Sequence, residues 1–66
     1  MISKERLEEL IEQGATVYSE QFRENIELSK CIQWEFFKSG FVWCIYKDRE
    51  LIINLERLFE KEVQKM

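Results

Sequence analysis

Histidine is absent from the 66-residue chain. With it go the commonest general base, the commonest metal ligand and every triad built around an imidazole. Cys31 and Cys44 are the two cysteines, and no third thiol stands by to complete a zinc site. Gly14 and Gly40 are the two glycines, too few for a Gly-rich phosphate loop. Proline is missing, and there is no low-complexity tract, linker or internal repeat to be read. No apolar run approaches the ~20 residues of a membrane helix. The N-terminal MISKERLEELIEQ is amphipathic and charged, without the apolar core of a signal peptide. These absences exclude most catalytic chemistry. The expectation is a single domain over 1–66, soluble and cytoplasmic, with no cofactor, no metal and no enzymatic activity.

What is present suits a folded domain. Hydrophobic residues make up 45% and aromatics 14%, against a net charge of −3, which is the balance of a globular chain. A domain of this size buries only about 60% of its unfolded surface, so large side chains matter. The pI of about 5.0 argues against nucleic acid, whose phosphates need a basic stripe. The excess acid is thinly spread, and the carboxylate clusters Glu8-Glu9-Glu12 and Glu20-Glu24-Glu27 read as solvated faces, not acid–base pairs.

Hydrophobic period divides the chain. Residues 3–13 predict a helix, with Ser3 as N-cap, Ile2 and Leu7 as a hydrophobic staple and Gly14 as the left-handed stop. Ala15-Thr16-Val17-Tyr18 is β-prone and predicts a strand. In 19–30, Ile26 and Leu28 alternate with Glu27 and favour a second strand. A short helix, with Phe22 and Ile26 one turn apart and Ser19 as cap, stands as the alternative. From Asp48 on, Leu51, Ile52, Leu55, Leu58, Phe59, Val63 and Met66 recur at spacings of three and four, predicting a helix from 49 to about 65 with Asp48 as N-cap. The run Leu51-Ile52-Ile53 leaves a continued strand as the lesser option. The fold class expected is α+β: an N-terminal helix, a three- to four-stranded antiparallel sheet and a C-terminal helix.

The stretch CIQWEFFKSGFVWCIYK, Cys31 to Lys47, holds both tryptophans and both cysteines. Two strands, 31–37 and 41–47, flank Lys38-Ser39-Gly40. A two-residue Ser39-Gly40 turn would set Phe36 opposite Trp43 and Trp34 opposite Ile45. One face then carries Ile32, Trp34, Phe36, Phe41, Trp43 and Ile45 as core. The other carries Gln33, Glu35, Phe37, Val42, Cys44 and Tyr46, and is too apolar for ordinary solvent surface. A three-residue loop with a bulge would shift the pairing by one and mix the faces. In the first register Cys31 and Cys44 lie roughly 13 Å apart, beyond disulfide reach, and in the bulged one they point to opposite faces, so both are expected as free thiols. Glu35, Phe37, Val42 and Tyr46 are the expected partner-binding residues, because an uncovered apolar face marks an interface.

The opening ISKERLEELIEQGATVY, with Asn25-Ile26-Glu27-Leu28-Ser29-Lys30 and Leu55-Glu56-Arg57-Leu58-Phe59-Glu60, resembles segments of small phage and prophage proteins of low-GC Gram-positive bacteria. The aromatic hairpin lies outside that resemblance. It implies a phage-encoded inhibitor or modulator that binds a host or defence protein, as inhibitors of CRISPR effectors do, without nucleic acid or membrane. A homodimer is expected, and a structural or assembly protein whose apolar face is consumed by self-association is the alternative.

Overall fold

The computed structural model of the chain describes residues 1–61. The first helix, α1 (Lys4–Gln13), forms as its pattern predicts. Ser3 Oγ accepts from the Arg6 N–H at 3.1 Å, and Gly14 stops the helix at φ +66. Ile2, Leu7 and Leu10 are buried on its inner side.

Strands β1 (Thr16–Ser19), β2 (Glu24–Glu27), β3 (Cys31–Phe36), β4 (Phe41–Tyr46), β5 (Arg49–Asn54) and β6 (Leu58–Glu60) follow. They make two antiparallel three-stranded sheets, ordered β2-β1-β6 and β3-β4-β5. The strand favoured within 19–30 is present, paired to β1 through Val17 and Ile26, although Leu28 belongs to the turn that follows.

Single 3₁₀ turns, Leu28–Lys30 and Leu55–Arg57, carry the chain from β2 to β3 and from β5 to β6, each time changing sheet. Pairing therefore runs in a ring: β1 with β2, β3 with β4, β4 with β5 and β6 back to β1. The two corners share a sequence that the absence of a long repeat conceals. Ile26-Glu27-Leu28-Ser29-Lys30-Cys31 matches Ile53-Asn54-Leu55-Glu56-Arg57-Leu58 as Ile-x-Leu-x-basic-apolar. All six apolar positions of this pattern are buried. A strand that bends through one 3₁₀ turn keeps successive apolar side chains on the inside of the bend, where plain alternation would turn every second one out.

The expected C-terminal helix is corrected here. Residues 49–54 are strand β5, 55–57 a 3₁₀ turn and 58–60 strand β6. The last turn of the expected helix, from 62 on, lies outside the described residues. The spacing of three from Leu55 to Leu58 comes from the corner, and within β5 burial alternates: Leu51 and Ile53 are buried while Ile52 is exposed. The expected single sheet is likewise two sheets. Asp48 caps no helix; with Lys47 it forms the two-residue β4–β5 turn, both at positive φ, +51 and +62, as a type I′ turn requires.

The β3–β4 register is the other correction. The loop is Lys38-Ser39-Gly40, closed by the Phe37 N–H donating to the Phe41 carbonyl at 2.9 Å, with Gly40 at φ +86. Phe36 therefore pairs with Val42, and Glu35 with Trp43. A bulge between Ile32 and Glu35, with Gln33 at φ +58, resets the pairing to Ile32–Ile45 and Cys31–Tyr46. The face expected outside, Val42, Cys44 and Tyr46, is the core. Trp34 and Phe36 still pack against that core, because the bulge turns their part of β3 inward.

Lys47 is a poor residue for positive φ, a conformation that costs most L-residues about 1–2 kcal/mol, and Asp48 tolerates it less well than glycine does. Replacing the pair by the preferred Asn-Gly (Lys47→Asn with Asp48→Gly) is expected to stabilise the chain by about 1 kcal/mol. The urea midpoint should rise with the m-value unchanged.

Candidate interaction surface

β4 is the centre of its sheet and alternates strictly. Val42, Cys44 and Tyr46 are buried, and Phe41, Trp43 and Ile45 point the other way, half-buried. The outward side chains line up across the sheet. One row is Ile32–Ile45–Glu50, the next Glu35–Trp43–Ile52, and the third joins Phe41 to Asn54. Ile32 and Ile52 are 55% and 54% exposed, the most exposed large aliphatics of the described strands. The Trp43 indole N–H donates to Glu50 Oε1 at 3.1 Å, so one carboxylate is tied to the ring edge while Glu35 sits opposite on β3.

Of the four residues expected to bind a partner, two are misplaced by the register. Val42 is fully buried and Tyr46 is 1% exposed. Tyr46 is held from inside as well, its hydroxyl accepting from the Glu27 N–H at 3.3 Å. Glu35 is exposed on the outer face, and Phe37, 43% exposed, lies at the turn. Ile32, Phe41, Trp43, Ile45 and Ile52 are the members of this surface that periodicity assigned to the core. Their signal in the sequence was the Gly40 loop, whose three-residue form places glycine at the left-handed position.

Both edges of this sheet are blunted. The Gln21 side chain reaches across from the β1–β2 loop, donating to the Ile52 carbonyl at 3.2 Å and accepting from the Asn54 N–H at 3.0 Å. One amide thus imitates a neighbouring strand along β5. The Gln33 bulge breaks the regularity of β3, which discourages strand addition there. What the sheet offers is a face.

A cleft and a buried thiol pair lie apart from this face. A cleft of about 450 Å³ lies between the N-terminal segment and the β3–β4 turn, walled by Ile2, Phe36 and Phe37. Lys4 and Lys38 on its rim are matched by Glu5 and Glu56, so it selects no charge. Cys31 and Cys44, expected apart, face each other from inside the core as free thiols. Contact with Cys44, then burial, pushes the Cys31 thiol up, and contact with Cys31 draws Cys44 down, as in a pair that gives up its two protons in separate steps. Among the described residues, no three donor side chains gather as a metal site, and no helix is long and apolar enough to cross a membrane. Glu20, Glu24 and Glu27 are ion-paired with Arg57, Arg49 and Lys30.

Comparison with known proteins finds no match: no family model, no curated protein and no solved structure is similar to the chain.

Tyr46→Ala is expected to cost about 3–5 kcal/mol of stability, since it empties a core position. Glu35→Lys, on the surface, should stay within about 0.5 kcal/mol. Denaturant titration of the two variants checks both. Neither thiol should be freely reactive: modification by a thiol reagent in native buffer is expected at least about a hundredfold slower than in denaturant.

Proposed function

We propose that the chain is a non-enzymatic protein-binding module of the cytoplasm, docking on another protein through the outer face of β3-β4-β5. One observation carries this reading: Ile32 and Ile52, each more than half exposed, flank Trp43 and Ile45 on a single sheet face. Contiguous apolar surface of this kind, centred on a tryptophan, is the usual composition of an interface core. Glu35 and Phe37 keep their place at its margin, while Trp43 and Ile52 replace Val42 and Tyr46. The resemblance to phage and prophage proteins makes a host or defence protein the target, with inhibition or modulation as the result of docking.

Self-association is the second reading, favoured by the same exposed isoleucines. A homodimer would cover them with their own copies.

Ile52→Asp separates the two. The side chain is exposed, so the fold should survive, and Phe59→Asp on the other sheet serves as a control, Phe59 being 39% exposed. The expected outcome is a monomeric mass at every concentration, with partner capture lost in Ile52→Asp and kept in Phe59→Asp. A concentration-dependent dimer that Ile52→Asp dissolves would establish the homodimer instead.

A further inference from the structure

We propose that the outer face of β3-β4-β5 takes a basic side chain from its partner, an arginine or lysine laid on the Trp43 ring with its head group between Glu35 and Glu50. This rests on the docking reading above and names the chemistry of the partner: an exposed segment in which basic and apolar residues alternate.

The charge pattern of the face carries the argument. Its outward positions are Ile32 and Glu35 on β3, Phe41, Trp43 and Ile45 on β4, and Glu50, Ile52 and Asn54 on β5. Two are carboxylates and none is a cation. Lys38, in the β3–β4 loop, lines the cleft beside Phe36 and Phe37, and three other basic side chains close in sequence are engaged elsewhere. Arg49 pairs with Glu24 at 3.3 Å, Lys30 with Glu27 at 3.2 Å, and Lys47 lies over the Tyr46 ring. Among the described residues Glu35 makes no ion pair or side-chain hydrogen bond, and Glu50 binds only the indole N–H through Oε1.

An indole between two carboxylates is a strong address for a cation. The ring face attracts positive charge through its quadrupole, and the carboxylates accept from a guanidinium or ammonium. A second copy of this chain brings the same cation-free face, so apposing two copies sets carboxylates against carboxylates with nothing between them. Charge complementarity therefore favours a basic partner over a homodimer. Ile32, Ile45 and Ile52 around the tryptophan receive the apolar neighbours of the incoming residue.

The probe is the peptide acetyl-Val-Arg-Val-Arg-Val-amide, with a twin carrying citrulline, the uncharged isostere, in place of arginine. Each is titrated into the ¹⁵N-labelled full chain while the Trp43 indole N–H signal is followed. The expected result is saturable shifts at Glu35, Trp43, Ile45, Glu50 and Ile52, with the citrulline peptide about tenfold weaker. The double variant Glu35→Gln, Glu50→Gln should lower affinity for the arginine peptide by about tenfold and leave the citrulline peptide unchanged. Equal affinity of the two peptides at these residues overturns the cation site while leaving apolar docking in place. Absence of shifts with either peptide, or shifts centred on the opposite sheet, overturns the cation site and this docking face together.

Discussion

Gly40 at φ +86 closes a three-residue loop, and the hydrogen bond from Phe37 N–H to the Phe41 carbonyl locks its register. Side chains alternate along a strand, so moving this loop by one residue would turn Val42, Cys44 and Tyr46 outward and Phe41, Trp43 and Ile45 inward. β4 pairs on both sides, and its register is passed to β3 and to β5. The composition of the core and of the exposed face both descend from that loop. The Gln33 bulge is its complement, returning the far end of β3 to a register in which Cys31 is buried opposite Tyr46.

Closure meets the other constraint, size. So short a chain cannot sandwich an open sheet between long helices, and it instead bends two of its strands through 3₁₀ corners until β6 pairs with β1. Each corner buries three apolar residues of its Ile-x-Leu-x-basic-apolar pattern, and the N-terminal segment adds Ile2 ahead of α1 and Leu7 and Leu10 within it. Hydrogen bonds outside the ladders stitch the corners in, such as Leu28 N–H to the Ala15 carbonyl and Leu55 N–H to the Gly40 carbonyl. The second of these ties a corner to the glycine loop that sets the register.

Electrostatics and function meet on the remaining face. Arg6, Lys30, Arg49 and Arg57 are drawn into ion pairs with Glu60, Glu27, Glu24 and Glu20. Arg6 holds the Glu60 carboxyl below its usual range. All of these pairs lie away from Trp43. Among the described residues Glu35 and Glu50 stay outside these pairs, on the face where the apolar side chains are also uncovered. A face that is aromatic, aliphatic and anionic together is poorly suited to its own copy and well suited to a basic partner.

The sequence by itself determined α1 and its caps, because a 3.6-residue stripe bounded by Ser3 and Gly14 is a local signal complete within its own residues. It also determined the existence of the β1–β2 and β3–β4 hairpins, and Glu35 and Phe37 as exposed residues of the second. Tertiary structure decided which side of β4 is inside, since both sides are apolar and alternation cannot choose between two hydrophobic faces. It decided the fate of 49–60 for a related reason. A strand bent through a 3₁₀ turn reproduces helical spacing, and only the pairing of β5 with β4 and of β6 with β1 distinguishes it from a helix. Val42 and Tyr46 belong to the core, and Trp43 and Ile52 to the surface, because a three-residue loop and two corners, not hydrophobicity, direct these side chains.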